Sequence, residues 1–183
     1  MSPRTALPLR LEYIILGLVR RQPVHGYELL NTWNVPAGIG LIWRVKPAAL
    51  YAALEKLERL GYLASSLIPA DFSPTRKEYR ITSLGEQIFL DWIKTPVAAP
   101  RDFRQDFLVR LFFGQDIDLQ ELRVLLAQQE FICQGWLASL ENQFVSSSGF
   151  EAQVLSFRIR QVRSILEWLS DLPIEQMRGS TGD

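Results

Sequence analysis

Apolar residues recur along this chain first at helical spacing, then briefly at strand spacing, then at helical spacing to the end. From Leu9 to Arg21 the positions Leu11, Ile14, Ile15 and Leu18 fall three and four apart, which gathers them on one helical face, and Pro23 marks the end of the run. A short second helix is predicted from Gly26 to Trp33. Pro36, Gly38 and Gly40 then force an irregular connection to an extended piece, Trp43 to Val45. The third helix starts near Lys46, because Pro47 suits a first helical turn, where its missing N–H is no loss. Leu50, Leu54 and Leu57 form its buried face, and Gly61 supplies a left-handed cap. Two strands, Tyr62 to Ile68 and Lys77 to Thr82, follow, joined by a loop from Pro69 to Arg76 with Asp71, Ser73 and Pro74 as turn formers. Ser83 and Glu86 have the spacing of a capping box. A fourth helix is therefore expected from Leu84, carrying Ile88, Phe89 and Trp92 inward.

The segment from Thr95 to Pro100, TPVAAP, has two prolines and no charge, and it reads as a domain boundary. Beyond it Arg101 to Phe113 resumes as an aromatic-rich helix closed by Gly114, and Asp118 with Glu121 caps another from Leu119 to about Val145. That helix repeats Leu122, Leu126, Cys133, Leu137, Leu140 and Phe144 on one face, interrupted by Gln129. After a turn from Ser146 to Gly149, the last helix, Glu151 to Leu172, places Leu155, Ile159, Val162, Leu166 and Leu169 at alternating four and three, before Pro173. It would be roughly 33 Å long, too long for a small domain to cover from one side. Two such helices can close on each other as a hairpin, but the aromatic residues off their seam favour a second copy of the chain as partner. The predicted fold is mainly α, with residues 1–94 forming a winged helix-turn-helix and residues 101–173 a helical dimerisation domain.

Charge sharpens this division. The chain of 183 residues has 20 basic and 20 acidic side chains, yet residues 1–94 hold 12 against 8, or +4, and residues 95–183 hold 8 against 12, or −4. The basic half contains the helix and hairpin, so it is the half suited to a polyanion, although chance scatter between two domains gives the same count. One cysteine, Cys133, excludes an internal disulfide and a cysteine-cluster metal site. One histidine, His25, beside Gly26 at a turn, makes neither a metal site nor a triad. No nucleophile with a base, no paired carboxylates and no phosphate loop appear, so neither catalysis nor a cofactor is expected. No stretch resembles a signal peptide or approaches the ~20 apolar residues of a membrane span, which points to the cytoplasm.

The outer side of the third helix carries Ala48, Tyr51, Ala52, Glu55 and Arg59, with small residues near its start that would let its backbone approach DNA closely. Arg76 and Lys77 sit at the hairpin's edge, placed to reach a phosphate backbone beside the groove.

These residues resemble the PadR family of bacterial transcriptional regulators over nearly the whole chain. His25-Gly26-Tyr27-Glu28-Leu29 looks like the family's second-helix start. Trp43, Leu50-Tyr51, Leu54, Leu57-Glu58 and Gly61-Tyr62-Leu63 match its recognition-helix pattern. Arg76 to Thr82 is similar to its second wing strand, with Gly85 in register, and Arg101 to Gly114 to the opening helix of the larger subgroup's dimerisation domain. The resemblance implies a homodimer on near-palindromic double-stranded DNA and repression often relieved by a small aromatic ligand. It implies Tyr27 and Tyr51 as phosphate contacts, charge from Lys46, Lys56, Arg76 and Lys77, and Ala48 and Ala49 facing the bases. The chain departs from the family where Ser or Thr, Gly and Thr usually open the recognition helix. Lys46, Pro47, Ala48 and Ala49 stand here, so hydroxyl readout is lost and Lys46 is left as a phosphate or guanine contact. Aromatic effectors in the family direct attention to Phe103, Phe107 and Trp136, with Phe144 and Trp168, as a ligand site or as core. The competing function is a winged-helix module whose basic surface meets an acidic protein partner.

Overall fold

A computed structural model describes residues 11–70 and 73–174. The chain divides into two compact units, the first running to Ile93 and including Leu108–Phe113, the second comprising Lys94–Phe107 and the chain from Gly114 onward. The boundary expected at 95–100 is therefore crossed a second time, because part of the segment anticipated for the helical domain packs with the winged one.

In the first unit the order is α1 (Leu11–Arg21), β1 (Val24–His25), α2 (Gly26–Asn34), α3 (Ile39–Ile42), α4 (Pro47–Arg59), β2 (Leu63–Ala70), β3 (Ser73–Ile81) and α5 (Ser83–Ile93). Of the predicted first helix, Leu9 lies outside the described residues. The core is built from Ile14, Ile15 and Leu16 of α1, Leu29 and Trp33 of α2, Leu50, Leu54 and Leu57 of α4, and Phe89 of α5, all nearly or wholly inaccessible. The connection after α2 contains the one-turn α3, which the glycines and proline had concealed. It leads into extended backbone at Trp43–Val45 that joins no sheet. Its polar groups are satisfied by side chains instead: Asn34 pairs both amide groups with the Val45 backbone at 3.0 Å, and Trp33 Nε1 donates to the Trp43 carbonyl at 2.8 Å.

α4 ends as Gly61 predicts. That residue has φ +74°, its N–H reaches the Glu58 carbonyl at 2.9 Å, and Tyr62 N–H reaches the Leu57 carbonyl at 2.9 Å, a Schellman closure. The three strands form an antiparallel sheet ordered β1-β3-β2, with Leu63 opposite Ile81 and Ile68 opposite Arg76. Its hairpin is longer than the sequence suggested. Pairing continues to Ala70 opposite Ser73, so the loop read as Pro69–Arg76 is almost all strand, and Asp71 lies outside the described residues. The cap of α5 also moves by one residue. Thr82 Oγ1 accepts from Gly85 N–H at 3.1 Å and lies 2.7 Å from the Gly61 carbonyl, whereas Glu86 pairs with Arg20 at 3.0 Å instead of closing a box with Ser83.

The segment after Ala99 begins as α6 (Pro100–Asp102), passes through a π-helical turn (Phe103–Phe107) and ends as α7 (Leu108–Gly114). Within the first unit, Phe113 meets Phe89 edge-on with centroids 5.4 Å apart. Arg110 lies 4.5 Å from the Trp92 ring, which itself stacks on Tyr13 at 4.5 Å.

The second unit is dominated by α8 (Leu119–Val145) and α9 (Gly149–Ser170), folded back on each other. Asp118 caps α8 by accepting from Gln120 N–H at 2.8 Å. The α8 stripe is buried from Leu122 to Cys133, but Leu137 and Leu140 are half-buried and Phe144 is exposed, so the expected seam opens toward the tip. Gln129, which interrupts that stripe, is fully buried and takes both backbone groups of Val97, accepting N–H at 2.7 Å and donating to C=O at 3.3 Å. On α9, Leu155, Ile159, Val162 and Leu169 are buried and Leu166 half-buried.

Candidate nucleic-acid interface

The start of α4 stands clear of the protein. Lys46 is its N-cap residue, Pro47 opens the first turn, and Lys46, Ala48, Ala49, Tyr51, Ala52 and Glu55 are exposed, while Leu50, Ala53, Leu54 and Leu57 point inward. The outward surface is small-sided and lacks a side-chain cap hydrogen bond, so the first backbone N–H groups of the helix stay uncapped by the Lys46 side chain.

Beside it, the entry to α2 and the edge of β3 shape a cleft of about 370 Å³, lined among others by His25, Tyr27, Tyr51, Arg76 and Lys77. Two short-range devices hold it. β1, only two residues long, pairs His25 with Glu78 and fixes the start of α2 against the sheet. Gly26 then allows the Tyr51 ring to lie over α2, since a Cβ there would sit 2.8 Å from Tyr51 Cε1. Tyr27 is 66% exposed and Tyr51 42% exposed. Both rings thus reach the surface next to Arg76.

The cations divide into engaged and outward-facing ones. Lys77 Nζ pairs with Glu58 Oε2 at 2.5 Å, and Ser65 Oγ donates to Glu58 Oε1 at 2.5 Å, so one carboxylate near the end of α4 braces both long wing strands. The hydrogen bond from Lys77, then that from Ser65, holds the Glu58 carboxyl below its ordinary value of 4.5, and the same bond holds the Lys77 ammonium above 10.5. Lys56 turns away from this face and pairs with the buried Glu12 of α1 at 2.9 Å. Lys46 and Arg76 are exposed.

Four of the eight residues assigned to DNA from the sequence, Tyr27, Tyr51, Arg76 and Lys77, therefore meet around one cleft. Lys46, Ala48 and Ala49 share the exposed start of α4, and Lys56 is placed elsewhere. The brace at Glu58 went unread, because a Glu-Lys pair separated by nineteen positions has no local signature. Of the residues considered for an effector, Phe103 and Phe107 are buried and stacked at 4.3 Å, with Trp168 edge-on to both at 5.9 and 6.3 Å. Trp136 is half-buried on α8, outside that ring cluster. Among the described residues no group of three or more His, Cys, Asp or Glu side chains is arranged for a metal, and no helix is long and apolar enough to cross a membrane.

Two family models cover most of the chain. The transcriptional regulator PadR-like family matches residues 15–90, and the virulence activator alpha C-term family matches residues 103–172. The chain belongs to the PadR-like family of transcriptional regulators. The PadR-like match spans α2, α4 and the wing, so this unit is a winged helix-turn-helix of a DNA-binding regulator family rather than an enzyme fold. Among relatives, the negative transcriptional regulator PadR of Bacillus subtilis is 25% identical over 134 residues, 73% of this chain and 72% of that one. Uncharacterized protein X of Lysinibacillus sphaericus is 30% identical over 84 residues, 46% of this chain and 75% of that one. Among solved structures, Bacillus subtilis PadR in complex with operator DNA is 23% identical with a TM-score of 0.47, covering 91% of this chain and 98% of that one. The same protein in complex with p-coumaric acid gives 23% and 0.44, covering 92% and 99%.

Proposed function

We propose that this PadR-like regulator binds near-palindromic duplex DNA as a homodimer and represses transcription. The observation that carries the reading is the exposed, small-sided start of α4 flanked by the tyrosine- and cation-lined cleft. α4 enters the major groove with Ala48 and Ala49 toward base edges and Lys46 toward a phosphate or guanine, while Tyr27, Tyr51 and Arg76 hold the backbone. Lys77 acts chiefly through Glu58, setting the wing against α4. Two subunits place their α4 helices about 34–36 Å apart, one turn of DNA.

Support for the second copy comes from α8. Val124, Phe131, Ala138 and Val145 recur every seven residues, all exposed, with Phe131 at 76%. Such a stripe has the period of a helix packed against another helix. Repression follows the name of the Bacillus subtilis relative. A small aromatic effector, bound in the helical unit near Phe103, Phe107 and Trp168, would favour the free protein by its differential affinity.

Duplexes selected from a random pool, titrated by fluorescence anisotropy against salt, test this directly. Binding of a roughly palindromic sequence with affinity falling steeply as salt rises supports the reading. Salt-independent binding, or none in dilute buffer, removes it.

A further inference from the structure

We infer that Glu55 reads cytosine in the major groove, its carboxylate accepting a hydrogen bond from the exocyclic N4 amino group at one position in each half-site. This inference rests on the DNA-binding reading above. Glu55 stands seven residues after Ala48 on α4, which at 3.6 residues per turn puts it about two turns further along and within about 20° around the axis. The two therefore share one outward direction, with Ala52 beside them. All three are exposed, whereas Leu50, Ala53, Leu54 and Leu57 take the inward face. The alanines let the helix backbone come close but have no side-chain donor or acceptor of their own. Along that line from the start of α4, Glu55 is the first side chain able to hydrogen-bond a base edge. It lies about 10.5 Å beyond Ala48, within the roughly 12 Å width of the groove.

The fold makes no pairing use of this carboxylate. Glu58 of α4 holds Lys77 and Ser65, and Glu12 of α1 holds Lys56, but Glu55 makes no hydrogen bond or ion pair with another described residue. In a groove walled by phosphates, a group that only accepts is repelled unless it meets a donor. The donors on the major-groove edges of the bases are the amino groups of cytosine and adenine. Adenine N6 is flanked by the base's own N7 acceptor, which repels the second carboxylate oxygen, whereas cytosine N4 has only carbon on that side. Cytosine is thus the base that Glu55 favours. Lys46 and Arg59, both exposed, stand before and after it on α4, so that surface stays positive despite the carboxylate.

Duplexes selected from a random pool by wild type, Glu55→Ala and Glu55→Gln, and then sequenced, test this. Wild type should enrich cytosine at a position in each half-site where Glu55→Ala shows no preference, the other positions being unchanged. In fluorescence anisotropy, replacing that cytosine should weaken wild-type binding by about tenfold and leave Glu55→Ala unaffected. Glu55→Gln should move the preference to adenine, whose N6 and N7 suit the acceptor and donor of an amide. Selection of the same sequences by wild type and Glu55→Ala, with affinity raised uniformly as the charge is removed, overturns the proposal and leaves DNA binding in place. So does a preference lost at a position where wild type selects another base. Wild-type half-sites without any enriched cytosine overturn it with no variant needed. If wild type enriches no duplex at all, the DNA-binding reading itself is removed.

Discussion

At the scale of single residues, the proposed interface depends on positions that would themselves touch no ligand. Gly26 is required by the ring of Tyr51, not by its own backbone angle, so Gly26→Ala should push the flexible ring aside at little cost to the fold. Duplex affinity should fall several-fold while the melting temperature moves by no more than a few degrees; an unchanged affinity would separate Tyr51 from the phosphate. Glu58 works similarly at one remove. Its carboxyl is held below 4.5, so the brace is fully present above that value and is lost as pH falls through the depressed one. The Lys77 ammonium is held above 10.5, so on the alkaline side the brace is lost only as pH rises beyond that. Between those limits the wing is steady. Glu58→Gln should speed amide hydrogen exchange in β2 and β3 at neutral pH, and the wild type should approach that behaviour only in acid. That Tyr51 lies on the outer side of α4, and Arg76 and Lys77 on the second wing strand, was legible from sequence because each lies in a local pattern. The partners of Lys56 and Lys77 were not, since both pairings are made by tertiary packing.

At the scale of elements, what repeats at a fixed period was legible and what depends on a single distant partner was not. The helical stripes and the Gly61 cap placed α1, α2, α4, α8 and α9 within a few residues. The wing's true length was hidden because its strands contain Pro69 and Pro74, which usually signal a loop, and the hairpin continues past both. The cap at Thr82 was missed because Ser83 offers the same chemistry one position later. Gln129 shows the limit most clearly. A polar residue in an apolar stripe reads as an interruption, whereas here it supplies both partners that the Val97 backbone needs. Gln129→Leu should cost about 2–4 kcal/mol in chemical denaturation, because two buried backbone groups lose their bonds. A change below about 0.5 kcal/mol would mean that water replaces them.

At the scale of the whole molecule, the chain forms two compact units, and the seam between them does not fall at the single boundary that the TPVAAP segment suggests. The α6–π–α7 stretch begins in one unit and ends in the other, a division that no period reveals because the same aromatic pattern serves Phe107 and Phe113 alike. If α8 packs against its copy through the seven-residue stripe, Phe131→Asp should halve the mass measured by sedimentation and weaken duplex binding far more than the added charge explains. An unchanged mass would move the interface elsewhere. The central claim, that the start of α4 and its neighbouring cleft grip duplex DNA, is tested most directly by comparing wild type with Arg76→Gln in a salt-titrated anisotropy measurement. The slope of log affinity against log salt should be steep in the wild type and shallower in the variant by about one unit for each subunit engaged. Identical slopes, or a wild-type affinity indifferent to salt, would contradict it.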